Sequence, residues 1–173
     1  MRPEVTSKNL LGVTELTLKA KIKPGLVYGL PRPMTYANRL RILLNLFYSL
    51  RKTADEREGT KYAGPVERLR MVHELRWTVA DDDTQLLLTV SFDQSWESYI
   101  RSLVDNVGPA LDIILCHCSE YDGKSCLEGF PMFERFARDH QIVCDFFYSA
   151  ESRLTADDVP LVQLRLGGYN AVQ

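Results

Sequence analysis

Long apolar runs are missing from this chain. No stretch approaches the roughly 20 consecutive apolar residues of a membrane-crossing helix. The opening Met1-Arg2-Pro3-Glu4 has none of the apolar core of a secretory signal. The expectation is a cytoplasmic protein without membrane contact. Charge of one sign is missing too. The formal net charge is −2, which gives no reason to expect electrostatic capture of nucleic acid or of an anionic membrane. Cysteine is sparse, with four residues, Cys116, Cys118, Cys126 and Cys144, in 173. A chain of that length buries a core without covalent staples, so free thiols in a reducing compartment are expected rather than a disulfide framework. Several glycine motifs are absent as well. There is no Gly-x-x-x-x-Gly-Lys-Ser/Thr loop, no Gly-x-Gly-x-x-Gly after the first strand, and no Gly-x-Ser-x-Gly elbow. Cys-x-x-Cys-His, the attachment motif of c-type haem, is also missing.

What is present is a globular balance, with 45% hydrophobic and 25% charged residues. Residues 1 to 13 carry no strong periodicity. From Thr14 the pattern sharpens: Leu16, Leu18, Ala20 and Ile22 alternate with Thr17, Lys19 and Lys21. That period of two predicts a strand with one buried face, ended by Pro24-Gly25. Thr35 then caps a helix whose Tyr36, Leu40, Leu43, Leu44, Phe47 and Leu50 recur at helical spacing. A charged segment from Thr53 to Gly64 reads as a connection. Met71, His73, Leu75, Trp77 and Val79 alternate again, and Leu86, Leu88, Val90 and Phe92 resume the alternation after Asp81-Asp82-Asp83. The two runs predict an antiparallel hairpin with a solvated acidic turn.

Asp93 or Ser95 caps a second predicted helix with a stripe of Trp96, Ile100, Leu103, Val104 and Val107, stopped at Gly108-Pro109. The apolar run Leu111 to Cys118 then reads as a fourth strand. Strand, helix, strand, strand, helix, strand is the ferredoxin-like split β-α-β order. The expected class is therefore α+β, with a four-stranded antiparallel sheet and both helices on one face. The expected core spans residues 14–118, with a C-terminal extension, residues 119–173, packed on it. In that extension Pro131 to His140 reads as a helix with Phe133, Phe136 and Ala137 inward, Val143 to Tyr148 as extended, and Thr155 to Asp158 as a helix start. The sheet's second face needs a cover, supplied by the extension or by a second sheet, so a homodimer is a reasonable expectation.

Few side chains invite chemistry. Cys116-His117-Cys118 with Cys126 holds good zinc ligands, but no second pair completes a four-ligand site, and buried free thiols are the plainer reading. His73, on the predicted apolar face, is either a core histidine with one hydrogen bond or a base or ligand. His140 falls near a helix end, where a cation is favoured.

Four stretches together resemble a known family. They are Leu16-Thr17-Leu18-Lys19-Ala20-Lys21-Ile22-Lys23-Pro24-Gly25, Thr35-Tyr36-Ala37-Asn38-Arg39-Leu40, the run from Leu88 to Arg101 (LTVSFDQSWESYIR), and Asp145-Phe146-Phe147-Tyr148 followed by Leu154 to Val159. They are similar to the ferredoxin-like (dimeric α/β-barrel) domains in or beside bacterial proteins related to dye-decolorising peroxidases. The resemblance implies the fold more than the activity. In that family, haem sits on two ferredoxin-like halves, one of which carries Gly-x-x-Asp-Gly, a proximal histidine and a distal arginine. This chain has no Gly-x-x-Asp-Gly; its Asp122-Gly123 follows Ser119-Glu120-Tyr121. No catalytic residue carries over. The resemblance implies a non-catalytic accessory or interaction domain, assembling through its sheet face with itself or with a peroxidase-like partner domain. The alternative is a haem-binding, peroxidase-like oxidoreductase, with His73 or His117 as axial ligand and Arg76 or Arg101 as a polar group near it. A small-molecule enzyme of the dimeric α/β-barrel type, with His73 as base, is a third reading.

Overall fold

Alternating leucines and lysines at the start of the chain form the first long strand, and the rest of the sheet is built on it. The computed structural model describes residues 9–10, 12–29, 31–58, 69, 71–121, 126 and 128–148. Their elements, in order, are β1 (Asn9–Leu10), β2 (Val13–Lys21), α1 (Tyr36–Glu58), β3 (Val72–Ala80), β4 (Gln85–Asp93), α2 (Trp96–Leu115), α3 (Phe130–His140) and β5 (Gln141–Ile142). The class is α+β and the sheet is antiparallel. β4 lies between β2 and β3, while β1 and β5 share the other side of β2, at Val13–Thr14 and at Thr17–Leu18.

Register sorts the side chains onto two faces. Leu16, Leu18 and Ala20 lie opposite Val90, Leu88 and Leu86, which lie in turn opposite Leu75, Trp77 and Val79. That face joins Ala37 and Leu40 of α1, Ile100, Leu103, Val107 and Leu111 of α2, and Phe133, Phe136 and Ala137 of α3 in one core. Each fully buried leucine there contributes about 1.5–3 kcal/mol relative to exposure. The opposite face is polar. Thr17 pairs with Thr89 and Thr89 with Arg76, Glu15 with Ser91 and Ser91 with Glu74, and Lys21 with Gln85. Its upper end, at Val13 and Glu15, is buried, whereas Glu74, Arg76, Thr78 and Thr89 are exposed.

Caps and turns follow the expected chemistry. The Thr35 hydroxyl accepts the Asn38 N–H at 3.1 Å, and the Ser95 hydroxyl accepts the Ser98 N–H at 3.3 Å. Of the two caps considered for α2, Ser95 is the one used. Asp81, Asp82 and Asp83 take φ of 51°, 50° and 69°. Aspartate is among the few non-glycine residues that accept this left-handed region. Lys19 reaches Asp81 at 3.0 Å and Arg41 pairs with Asp83, so both outer acids of the turn are tied to other elements.

Two sequence expectations are corrected here. Gly108-Pro109 does not stop α2, and Leu111 to Cys118 is not a strand. The helix runs to Leu115, and Cys118 makes only an isolated bridge with Ile22. The stripe Leu103, Val104, Val107, Leu111, Ile114, Leu115 continues through the proline at helical spacing and is buried throughout. Pro109 is exposed, as is Asp105 one turn back, whose carbonyl loses its partner where water can replace it. A short apolar run does not by itself distinguish a strand from buried helix. The segment that pairs on the far side of β2 is instead β5, reached after α3.

α1 also outlasts its expected end. It continues to Glu58, because nothing before Gly59 breaks it. Part of the presumed extension is thus built into the sheet. Tyr121 donates to Asp112, the Cys126 N–H donates to the same carboxylate at 2.9 Å, and α3 packs on β2. Residues 143–148 are not a strand, and the expected helix start at 155–158 lies outside the described residues.

Candidate functional site

The three histidines occupy three different environments. His73 leaves the apolar face by a backbone irregularity. Val72 lies opposite Phe92 and Glu74 opposite Ser91, so His73 is an extra residue in a β-bulge. The bulge shifts the alternation by one, which gives Val72 the inward place. The imidazole Nε2 meets Asp93 Oδ1 at 2.7 Å, with both side chains largely buried. The expectation that His73 shares a face with Leu75 and Trp77 is corrected, because a bulge is invisible to a strict period of two.

His117 sits in the turn after α2 and is 1% exposed. Its Nδ1 lies 3.1 Å from the Ile114 carbonyl, which can only accept, so the proton is assigned to Nδ1. Nε2 then presents a buried lone pair, without a hydrogen-bond partner among the described residues. The ring meets Tyr36 edge-on, with centroids 6.3 Å apart. Burial holds the imidazole below its ordinary value, with help from the Arg39 and Lys23 charges, while the bonds to the Ile114 and Ile113 carbonyls act the other way. Lys23 also closes the turn, donating its backbone N–H to the His117 carbonyl and its Nζ to the Cys116 carbonyl, each at 2.8 Å.

Arg76 pairs with Glu74 on the exposed polar face of β3. Arg101 lays its guanidinium 3.4 Å from the centre of the Phe130 ring on the outer side of α2. Arg101 and His117 stand roughly 20 Å apart along α2 at 1.5 Å per residue. His73, Arg76, Arg101 and His117 therefore do not surround one cavity, and they do not fit as a haem donor set. Cys118 and Cys126 are buried and resemble small hydrophobes more than ligands, while Cys116 and Cys144 are half-buried. Cys126 donates to the Gly108 carbonyl at 3.2 Å, and burial pushes the Cys118 thiol up to about 12. Among the described residues no group of three or more metal-ligating side chains occurs.

A concavity among the described residues has no counterpart in the sequence patterns. A groove of about 750 Å³ runs between α3 and the outer edge of β2, within the usual size of small-molecule sites. Phe133, Phe136 and Tyr121 form its apolar floor, and Lys21, Arg135, Asp139 and the Glu120–His140 pair are on its lining. His140, the last residue of α3, meets the Phe136 carbonyl through Nδ1 at 2.7 Å and Glu120 through Nε2. The ring also stacks on Phe136, with centroids 4.0 Å apart. In sequence His140 shows only as a helix-end cation. The groove forms because β5 leaves β2 after two residues, while the turn at Cys118 and Ser119 meets β2 again only at its end.

No protein family, no curated protein and no solved structure matches this chain. Among the described residues no helix is long and apolar enough to cross a membrane.

Proposed function

We propose that this domain is a non-catalytic accessory module of a peroxidase-related protein, working by contact with a second copy of itself. The strand order, with β5 outside β2, then β4, then β3, fits a ferredoxin-like arrangement in which β5 is the short fourth strand. The observation that carries the reading is on α1. Ile42, Leu46 and Leu50, spaced i, i+4, i+8, are each more than half exposed. Such a row is a ridge suited to the groove of another helix, and clustered exposed apolar surface is a common mark of a contact site. The polar outer face of the sheet makes α1 the better contact surface.

Light scattering at about 100 µM protein, well above the Kd of a micromolar dimer, tests this. A dimer that Leu46→Glu converts to monomer is the expected result. A monomer, or a dimer indifferent to Leu46→Glu, overturns it.

A second reading, haem ligation, rests on His117 alone, whose Nε2 has no hydrogen-bond partner among the described residues and whose Nδ1 is anchored. An absorbance scan with excess haem tests it. A Soret shift lost in His117→Phe supports ligation, and an unchanged haem spectrum removes it.

A further inference from the structure

The lining of the groove holds charges that no described residue pairs. Lys19 is held by Asp81, and Glu120 is hydrogen-bonded to His140. Lys21 and Arg135 are exposed, and neither makes an ion pair among the described residues. Outside the Glu120–His140 contact the lining sets these two cations against one acid, Asp139, over an aromatic floor. Met132 and Ile142, at the mouth, are each nearly half exposed, although Phe133 and Phe136 just below them are buried. An arginine fork and a lysine on one lining favour a carboxylate, and the buried aromatic rings beneath them favour a flat or chain-like hydrophobic body.

We propose that the groove between α3 and β2 binds an amphipathic monocarboxylate, its carboxylate on Arg135 and Lys21 and its apolar body against Phe136 and Met132. A dianion would exceed the available charge, and a neutral analogue would leave the two cations without a partner. The site is separate from the α1 ridge, so binding there does not depend on self-association.

The test uses 1-naphthylacetate and its neutral counterpart 1-naphthylacetamide, titrated calorimetrically into the whole chain. The acid is expected to bind and to weaken as salt is added. The amide is expected to bind about three- to fivefold more weakly, as loss of one exposed charge contact implies. Lys21→Met and Arg135→Met, both exposed substitutions, each lower acid affinity by a similar factor and leave the amide unchanged. Met132→Glu weakens both ligands. Backbone amide shifts place the acid at residues 132–142 and not on α1. No binding at millimolar acid, equal affinity for acid and amide, indifference to Lys21→Met and Arg135→Met, or shifts centred on α1 would each overturn the proposal.

Discussion

The ring of Tyr99 lies flat on that of Phe92, with centroids 3.9 Å apart and planes 14° from parallel. This contact fastens the first turn of α2 to the end of β4 across the Ser95 cap. The Tyr99 hydroxyl, however, is buried without a hydrogen-bond partner among the described residues, and burial raises the phenol well above its ordinary value of 10.0. The ring therefore stabilises the fold and the hydroxyl opposes it.

Tyr99→Phe is expected to leave stability unchanged or raise it by about 1 kcal/mol, since it removes an unsatisfied buried group. Tyr99→Ala should cost about 3–5 kcal/mol. Because the folded phenol holds its proton more tightly than the unfolded one, stability is full below pH 10.0 and declines as pH rises further. Urea titrations at neutral and alkaline pH check both points: Tyr99→Phe should lose less above pH 10.0 than the native chain.

His117 gives the opposite slope on the acid side. Its folded imidazole lies below the ordinary 6.5, so the unfolded chain takes up a proton first as pH falls. Stability is full above 6.5 and declines below it, down towards the depressed folded value. His117→Phe keeps a ring against Tyr36 and removes this titration. The difference between denaturation midpoints at pH 7.5 and about 5.5 should shrink in the variant. An unchanged difference would show that His117 does not contribute to it.

Pro109 sits inside α2 on an exposed side of the helix. An interior proline costs about 3 kcal/mol relative to alanine in an unstrained helix. Pro109→Ala should therefore raise the melting temperature, with a gain of about 1–3 kcal/mol. A loss on substitution would mean that a bend at Gly108-Pro109 is needed to seat Leu111 and Ile114.

The pair His73–Asp93 links the β3 bulge to the end of β4. A double-mutant cycle with His73→Ala and Asp93→Asn should give a coupling of about 1–2 kcal/mol at neutral pH, as for a largely buried charge-assisted hydrogen bond. A coupling near zero would leave the bulge supported by backbone pairing alone.

Much of the fold is legible in the residues. The alternations at Leu16 to Ile22 and Leu86 to Phe92 are strong because one face of each strand is buried and the other polar. Phe133, Phe136 and Ala137 announce the buried side of α3. The failures have physical causes. At Leu111 the apolar residues suit either a strand or a buried helix turn, and the exposed side chain of Pro109 decides which. At His73 one extra residue moves the imidazole off its expected face. The groove was illegible because its parts come from β2, the turn at Glu120, and α3, which meet only after folding. Lys21 and Arg135 carry no local pattern that marks them.

The bulge at His73 has one more consequence, for the chain's behaviour in company. Among the described strands β3 is the outermost on its side, nine residues long, with no neighbour beyond it. A straight edge of that length is a template for uncontrolled stacking of further chains. The extra residue kinks its start, and Glu74 and Arg76 place charge along it. The irregularity that moves His73 off the apolar face also makes this edge a poorer template for a further strand.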